Sequence, residues 1–533
     1  MLKSYDKFVK LTIQELSETS VDFSRIKKKV SKLLQLPIPS NADLREIYNK
    51  LVLQKQIKPN KKIEEVLIGK KNRTYSGVAV IAVLTKPFSC PGKCLYCPSE
   101  NKMPKSYLKN EPAVMRAISV NFNPYAQVQK RLRSLELNGH KTDKIELIVM
   151  GGTFSYLPKN YQKQFIKECF RATNDYPKIK QITEKNEHGS IIALEKEQKK
   201  NENANRRIIG LTLETRPDYI NEKEILNFRT LGCTRVELGV QSIFDDILQK
   251  NNRGHAISET ISATKLLKDC GFKISYHIMP GLLGSTIEKD FQMFQMLFSS
   301  PDFQPDLLKI YPTVVLKDSE LYSIWKKGKY IPLDNEQFRE FILRVKEKII
   351  PPFVRISRLV RDVPAESIIA GPTISNLRQL IENESKCQCI RCREVKDAWQ
   401  IKEKIILDRI DYSASFGQEI FLQLVSKDKK KLFALLRLRI AKNNNQNNPI
   451  RSLKNTAIIR EVHTYGKLSQ LNKKSVFSPQ HIGMGKKMIA EAEKIAKQEF
   501  GLKKIAVISG IGVRNYYRKL GYRLKDSYMI KNI

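Results

Sequence analysis

Three cysteines within eight residues are the part of this sequence with the clearest chemistry. Cys90, Cys94 and Cys97 have the spacing C-x3-C-x2-C and follow closely after the apolar residues 78–84. A cubane iron–sulfur cluster needs four ligands, so three protein thiolates would leave one iron open to a substrate or cofactor. Zinc is the rival interpretation, but a structural zinc ion prefers four protein ligands, and no fourth cysteine or histidine follows nearby.

A second group of cysteines lies further along the chain. Cys387, Cys389 and Cys392 place three thiols within six residues, and the basic residues beside them favour the thiolate form. We predict a zinc site here, with a fourth ligand that the local sequence does not supply. A second iron–sulfur cluster with an open iron is the alternative.

A glycine turn in the last part of the chain is a third candidate site. Residues 480–486 read Gln-His-Ile-Gly-Met-Gly-Lys and precede an expected helix over residues 487–498. A glycine turn before a helix N-terminus presents free backbone amides to a pyrophosphate. The pattern therefore predicts a pyrophosphate-binding turn, against the alternative of a glycine that only caps a helix.

Composition limits the classes of function. The chain has 533 residues, with 95 Lys and Arg against 55 Asp and Glu, so two to four domains of ~100–200 residues are expected. The formal net charge of +40 indicates a polyanionic partner such as RNA, although a lysine-rich bias of the source would also explain it. No segment approaches the ~20 apolar residues of a membrane span, and clustered cysteines indicate a reducing, cytoplasmic compartment.

The elements that must position the first cysteine group form a repeating pattern. Six apolar, β-branched runs, with amphipathic helical patterns between them, occur at residues 78–84, 145–150, 208–213, 235–240, 273–278 and 307–316. Strands that alternate with helices predict a parallel sheet of the α/β class. We expect an open, partial (β/α)6 barrel whose chemistry lies on the loops after the strands. Residues 183–206, rich in Glu, Lys and Asn, are expected to be a mobile surface loop.

Polar residues and glycines follow five of these strands, and together they predict a site at the carboxyl end of the barrel. The first strand leads to the cysteines. The next four lead to Gly151 and Gly152, to Glu214 and Arg216, to Glu237 and Gln241, and to His277 and Gly281.

The remaining segments define the predicted domain boundaries. Residues 1–75 are expected to be a small basic helical domain that binds tRNA, although a solvated charged face is equally consistent with the sequence. Residues 76–330 form the barrel, and residues 331–405 form a connector with the second cysteine group. Residues 406–533 are a third, α+β domain with antiparallel strands at 421–425, 432–440 and 457–465.

The first cysteine motif, with an aromatic residue between its last two cysteines, resembles the radical S-adenosylmethionine (SAM) enzymes. The glycine turn and the segment 514–522 resemble the GNAT acetyltransferases, which grip acetyl-coenzyme A at this turn. A chain with both domains is similar to the catalytic subunit of Elongator and its archaeal and bacterial relatives. The residues that carry this resemblance are 151–159, 212–219, 460–466 and 508–517.

This resemblance implies a tRNA-modifying enzyme that forms 5-carboxymethyluridine at the wobble position. In the family, the reduced cluster cleaves SAM, and the resulting radical abstracts hydrogen from the acetyl methyl of acetyl-coenzyme A. By position, Cys90, Cys94 and Cys97 would hold a [4Fe–4S] cluster, and Lys309 and Tyr311 would belong to the active centre. The residues implied to contact acetyl-coenzyme A are Lys159, Glu461, Val462, His463, Thr464, Met484, Gly485, Lys486 and Tyr517, with Lys159 and Tyr517 also catalytic. Gly151, Gly152, Glu214 and Arg216 are further cofactor-binding candidates.

The expected partners are tRNA, acetyl-coenzyme A and an electron donor for the cluster, with a homodimer left open and no membrane. The short loop between the first two cysteines and the cysteines at 387–392 differ from many eukaryotic relatives, so the chain resembles the prokaryotic, archaeal form. The alternative function is a protein lysine acetyltransferase that uses the GNAT domain alone, but it gives the cysteines and the charge no role.

Overall fold

A computed structural model describes residues 2–18, 22–68, 77–178, 191–395, 403–466 and 483–533. The first part is a bundle of four helices: α1 (Leu2–Glu18), α2 (Phe23–Leu34), α3 (Asn41–Leu53) and α4 (Lys61–Val66). Ser40 begins α3 through a capping box with Asp43, which satisfies amide groups at the helix start. The bundle has an apolar core of its own, separate from that of the following domains. The predicted N-terminal helical domain is therefore present.

The middle of the chain alternates strands and helices. Its elements are β1 (Ala79–Leu84), α5 (Pro112–Ile118), α6 (Pro124–Leu137), β2 (Lys144–Met150), α7 (Lys159–Asp175), α8 (Ile191–Asn201), β3 (Arg207–Thr215), α9 (Glu222–Leu231), β4 (Arg235–Gln241), α10 (Asp245–Lys250), α11 (Ile257–Asp269), β5 (Lys273–Ile278), α12 (Ile287–Ser299), β6 (Leu307–Ile310), β7 (Val315–Leu316), α13 (Glu320–Lys326), α14 (Asn335–Lys348), β8 (Arg355–Arg358), β9 (Ile368–Ala370), α15 (Leu377–Leu380) and α16 (Ile390–Arg393).

Seven of these strands form one parallel sheet in the order β1-β2-β3-β4-β5-β6-β8. The sheet curls around a central space, and β1 and β8 are its two edges. Along β1, Val80 and Ala82 line this space, whereas Ile81 and Val83 are fully buried on the other face. The alternation follows from the two-residue period of a strand. The predicted open barrel is confirmed.

Three details differ from the sequence-based expectation. The last expected run, 307–316, is two strands, because β7 leaves the barrel and pairs with β9. A seventh barrel strand, β8, lies within the residues expected to be a connector. The expected loop 183–206 contains α8, although residues 183–190 lie outside the described part of the chain. Asn201 at the end of α8 donates to Thr173 Oγ1 at 3.0 Å and Asn174 Oδ1 at 2.8 Å, so buried polar contacts support a helix that hydropathy alone does not reveal.

The last domain is built on a second, seven-stranded sheet. Its elements are β10 (Ile405–Ala414), β11 (Gly417–Ser426), β12 (Leu432–Ile440), β13 (Ala457–Thr464), α17 (Met484–Gln498), β14 (Lys504–Val507), α18 (Arg514–Arg518), β15 (Arg523–Lys525) and β16 (Tyr528–Asn532). The order is β10-β11-β12-β13-β14-β16-β15, and only β13 and β14 are parallel. Their ladder covers only residues 457–459 and 505–507.

The barrel and the second sheet share a close interface. A Cβ atom on Gly510 would lie 2.0 Å from the carbonyl oxygen of Ile209, at the start of the barrel. Such a distance is shorter than any real contact, so only glycine fits between the two backbones. Arg437, Arg439 and Arg460 of the second sheet are also fully buried against the barrel. No helix in the described ranges is long and apolar enough to cross a membrane.

Candidate active site

One cavity runs along the inside of the barrel and reaches the second sheet. It encloses about 890 Å³. Cys90, Cys94 and Cys97 line one end, where the barrel strands finish. Glu461, His463 and Tyr465 line the other end; Glu461 and His463 belong to β13 and Tyr465 follows it. The cysteine loop and the second sheet therefore face the same internal space.

At the first end, cations surround the cysteine loop. The guanidinium of Arg253 lies 3.5 Å from Cys94 Sγ. A hydrogen bond from Cys97, together with Arg253, lowers the pKa of Cys94 to about 4 despite burial. A Cβ atom on Gly92 would lie 2.5 Å from Arg216 Nη1 and 3.6 Å from Cys94 Sγ. The loop is thus packed tightly beside two arginines, which favours thiolate at Cys94.

The donor set fits an iron–sulfur cluster better than a single ion. Within the described ranges, two groups of potential ligands have all their donor atoms within 4.8 Å of one another, and the first cysteine group is not one of them. The thiolates of a cubane bind different irons, so their sulfur atoms lie further apart than the ligands of one zinc ion. Cys90, Cys94 and Cys97 line the cavity together but are not gathered as tightly as the ligands of one ion.

In the middle of the cavity, charged side chains from four strands form one hydrogen-bonded group. The Lys309 ammonium contacts the carboxylate of Glu237 and lies 3.5 Å from Glu214. His277 Nε2 lies 3.0 Å from Glu237 Oε2. Burial opposes ionisation of Glu237, but Lys309 and His277 lower its pKa well below the usual range. Tyr311 packs edge to face on His277, with ring centroids 5.7 Å apart.

The backbone near these residues is unusual at two points. Gly151 and Gly152, directly after β2, have φ angles of +134° and +93°, which side chains rarely adopt. Gln241, at the end of β4, has a φ of +72° although it is not glycine. Gly152 and Gln241 both line the cavity. Strain of this kind concentrates at functional positions.

At the second end, ion pairs join the barrel to β13. Lys273 Nζ lies 3.2 Å from Glu461 Oε1, and Arg437 Nε lies 2.9 Å from Glu461 Oε2. Although burial opposes it, Lys273 and Arg437 lower the pKa of Glu461 to about 2. The rings of His463 and Tyr465 lie 4.4 Å apart. Alternate residues of β13 therefore face the barrel cavity.

The glycine turn lies on the other side of β13. Gly483 has a φ of +79° and precedes α17, while residues 480–482 lie outside the described part of the chain. A Cβ atom on Gly485 would lie 3.1 Å from Tyr516 Oη and 4.0 Å from Val462 Cγ1. Met484 at the helix start is buried, and Lys486 is exposed. The turn, β13 and α18 thus meet, and Thr464 ends the same strand.

Two predicted catalytic residues do not line the cavity. Lys159 lies beyond the carboxyl end of β2, where its ammonium contacts Glu224. Glu461 and its neighbours meet the opposite end of the barrel, so Lys159 and β13 are not brought together. Tyr517 is buried between Tyr516 and Tyr522, and this burial raises its pKa. It lies next to the glycine turn rather than in the barrel.

The second cysteine group is compact. The Sγ atoms of Cys387, Cys389 and Cys392 lie within 4.8 Å of one another, a spacing that suits one ion. Hydrogen bonds from Cys387 and Cys392 lower the pKa of Cys389 well below the usual value. The segment lies at the junction of the two sheets, since Ile390 N donates to Val354 O and Val395 N donates to Leu432 O, both at 2.9 Å.

Comparisons with known proteins agree with this architecture. Residues 87–297 match the radical SAM superfamily, and residues 305–386 match the radical SAM C-terminal domain. The chain is 45% identical over 536 residues to the tRNA uridine(34) acetyltransferase of Methanocaldococcus infernus, covering 96% of this chain and 95% of that protein.

The chain belongs to the tRNA uridine(34) acetyltransferase family. A bacterial relative with this name, from Dehalococcoides mccartyi, is 44% identical over 87% of this chain and 99% of its own length. Elongator complex protein 3 of Bos taurus is 38% identical over 87% of this chain and 86% of its own length. The solved structure of archaeal Methanocaldococcus infernus Elp3 with an N-terminal deletion has a TM-score of 0.71 and 43% identity, covering 86% of this chain and all of that one.

Several residues that line the cavity were not predicted from the sequence. Arg235, Arg253, Lys273 and Arg355 all line the cavity. Arg253 lies more than ten residues after the end of β4. The other three residues begin β4, β5 and β8, at the amino ends of the strands, where no site was expected. Only Arg253 carried a local signal, because it stands in the polar run 251–255 between two helices.

Proposed function

We propose that this chain modifies the wobble uridine of tRNA to 5-carboxymethyluridine, using acetyl-coenzyme A and SAM. The observation that carries the proposal is the single cavity, lined at one end by the three cysteines and at the other by β13 of the acetyltransferase-like sheet. The names of the relatives support the same conclusion. A lysine acetyltransferase that used the second sheet alone would need no access to the barrel.

In this proposal, Cys90, Cys94 and Cys97 hold a [4Fe–4S] cluster that supplies the electron for reductive cleavage of SAM. Gly151, Gly152, Glu214 and Arg216 lie at the same end of the barrel and suit contacts with SAM. Lys309 and Tyr311 lie between the two ends, where the acetyl group and the uridine would meet. Reductive cleavage of SAM consumes an electron from the cluster, and an external electron donor would restore it.

Acetyl-coenzyme A would bind at the glycine turn. The amides of Met484, Gly485 and Lys486 are those of a helix N-terminus, which suits a pyrophosphate. Residues 461–464 of β13 lie next to the turn, with Val462 near Gly485, and suit contacts with an extended arm of the cofactor. Tyr517 would line this region from α18. Lys159 is assigned to the mouth of the barrel rather than to acetyl-coenzyme A, because it lies at the opposite end from β13.

The remaining expectations complete the proposal. Zinc at Cys387, Cys389 and Cys392 would be structural. All nine cysteines are unpaired, which supports a reducing, cytoplasmic location. Domain boundaries near residues 75, 330 and 405, and a homodimer, stay predictions.

The decisive experiment is an anaerobic reaction with a defined tRNA, SAM, isotope-labelled acetyl-coenzyme A and a reductant. Mass spectrometry of the wobble nucleoside should show a labelled carboxymethyl group that depends on SAM and on Cys94. A parallel reaction with lysine peptides tests the alternative. Peptide acetylation that is independent of SAM, with an unmodified tRNA, would replace the proposed function by that of a lysine acetyltransferase.

A further inference from the structure

Two tyrosine side chains meet at the mouth of the barrel. Tyr156 ends the short 3-10 turn after β2, and Tyr219 ends the corresponding turn after β3. Their rings pack edge to face, with centroids 5.8 Å apart and an interplanar angle of 89°. Tyr156 is 45% exposed, and Tyr219 is half-buried. We call this pair the mouth tyrosines.

The mouth tyrosines stand at the rim of the cavity. Thr153 and Arg216, each three residues before one of them, line the cavity. A hydrogen bond of 2.9 Å between Ser155 Oγ and Thr215 Oγ1 joins the two turns. Gly92 of the cysteine loop packs against Arg216, since a Cβ atom at Gly92 would lie 2.5 Å from Arg216 Nη1. The pair therefore lies beside the cysteine loop.

Exposed cations occur on the same elements as these rings. Lys159 is exposed, and its Nζ lies 3.4 Å from the carbonyl oxygen of Ser155, the residue before Tyr156. Lys86, which follows β1, is also exposed and lies 5.3 Å from the ring centroids of both Phe88 and Tyr161. Aromatic rings interleaved with cations are typical of surfaces that bind single-stranded nucleic acid, because bases stack on the rings while phosphates contact the cations.

A base that is modified inside this cavity must leave its stack, and its neighbours in the RNA loop lose a stacking partner. The sugar–phosphate backbone holds those neighbours close to the modified base, at the rim of the cavity. An exposed aromatic ring at the rim can replace the lost stacking, whatever the identity of the neighbouring base.

We propose that Tyr156 and Tyr219 form the stacking surface for a base adjacent to the modified uridine in the single-stranded loop of the RNA. The inference rests on the proposed function, since it assumes an RNA substrate. It adds a way in which the RNA loop is held, because stacking on the two rings at the rim acts together with electrostatic attraction.

The test uses the full-length, anaerobically reconstituted protein and an anticodon stem-loop RNA. The fluorescent base 2-aminopurine replaces the base on one side of the target uridine or on the other. Tyr156→Ala and Tyr219→Ala should each weaken binding about 10-fold, in line with the stacking energy of one base. They should also remove the fluorescence quenching that wild type causes at one of the two positions. Tyr156→Phe and Tyr219→Phe should behave like wild type, because a ring face is sufficient.

Salt dependence separates stacking from electrostatic attraction. The alanine variants should lower affinity at every salt concentration without changing the slope of log affinity against log salt, which counts phosphate contacts. Phe416→Ala is the matched control, because Phe416 is 57% exposed and has Lys442 5.8 Å from its ring, but lies in the second sheet. It should bind RNA as wild type does, and all variants should keep the wild-type iron content.

Three outcomes would contradict the inference in distinguishable ways. Wild-type affinity and quenching in both alanine variants, with normal RNA modification, would mean that the tyrosines only pack on each other. Loss of affinity in the phenylalanine variants would assign the effect to the hydroxyl groups. If wild type neither bound nor modified the RNA, the proposed function itself would be wrong.

Discussion

Arg253 contacts the thiol of Cys94 from a loop that follows α10, more than 150 residues away in sequence. A buried guanidinium beside a thiol stabilises the thiolate, which is the form that binds iron. The same logic applies in the middle of the cavity, where Lys309 stabilises the ionised form of Glu237. At the residue scale, the anionic groups at both places are therefore held in their ionised form by a neighbouring cation.

Replacement of Cys90, Cys94 or Cys97 by alanine should remove the iron–sulfur cluster, because a cubane with two protein ligands is no longer held firmly. Iron and sulfide analysis and the visible absorbance of the anaerobic protein measure this. Cys169→Ala is the control, because Cys169 is buried in the apolar core of the barrel. Full iron content in the triple variant would show that the cluster is bound elsewhere.

Glu461 gives a prediction for pH dependence. Its pKa is lowered from 4.5 to about 2 in the folded protein, so it contributes stability above pH 4.5 that is lost as the pH falls toward 2, of order 3 kcal/mol. Glu461→Gln should lower the melting temperature at pH 7 and give a flatter decline between pH 4.5 and 3. Thermal unfolding followed by circular dichroism measures both. Parallel pH curves for the two proteins would mean that this carboxylate is not stabilised by Lys273 and Arg437.

At the scale of elements, the sequence was most informative where chemistry is local. Cysteine spacing, the glycine turn and β-branched runs each lie within one short segment, so the cysteine loop, α17 and the first six barrel strands could be predicted. β8 could not, because Arg355–Arg358 has only two non-arginine residues and is a strand through pairing with β6. Strands β10, β15 and β16 were also missed: β10 has mostly half-buried and exposed residues, β15 is exposed, and β16 buries only its first two residues. Cavity residues such as Lys273 become neighbours of β13 only in the folded chain.

The segment with Cys387, Cys389 and Cys392 should bind about one zinc ion per chain. The ion should hold the junction between β8 and β12, because the same segment is hydrogen-bonded to both sheets. Replacing the three cysteines by serine should remove the zinc and lower the melting temperature, with the cluster iron unchanged. Elemental analysis measures both metals. Retention of zinc in this variant would refute the site.

The four N-terminal helices should contribute to RNA binding without being needed for the rest of the fold. Their apolar core is separate, and their contact with the barrel includes an exposed pair, Arg133 and Glu46. Deletion of residues 1–75 should weaken tRNA binding and reduce its salt dependence, because phosphate contacts are lost. Coenzyme A binding, measured by calorimetry, should stay unchanged. Equal tRNA affinity in the truncated protein would exclude this domain from the RNA surface.

At the scale of the whole molecule, the two sheets are joined by buried charges. Arg460 contacts Asp306 of the barrel and lies 2.8 Å from Glu419, while Arg439 lies 3.0 Å from Glu419 and 2.5 Å from Asp269. With the more exposed Lys265 and Lys273, the network contains six cations and four carboxylates, which are Lys265, Lys268, Lys273, Arg437, Arg439, Arg460, Asp269, Asp306, Glu419 and Glu461. Because cations already outnumber carboxylates, the loss of one carboxylate would leave buried positive charge without a counter-charge.

Asp306→Asn should therefore be strongly destabilising, by about 3–5 kcal/mol, because it leaves buried cations without a counter-charge. Arg409→Ala is the control: its ion pairs with Asp411 and Glu499 are partly exposed and should contribute less than ~1 kcal/mol. Denaturant unfolding measures the difference. If the two variants were equally stable, the buried network would not hold the domains together.

The backbone contact at Gly510 has a consequence for how this enzyme family can vary. A side chain of any kind at this position would collide with the carbonyl of Ile209, so the two halves match at the level of main-chain atoms. An acetyltransferase domain taken from an unrelated protein would not seat on this barrel, however good its own active site. Chimeras between relatives should therefore join properly when glycine is kept at position 510, and fail when that position carries a side chain.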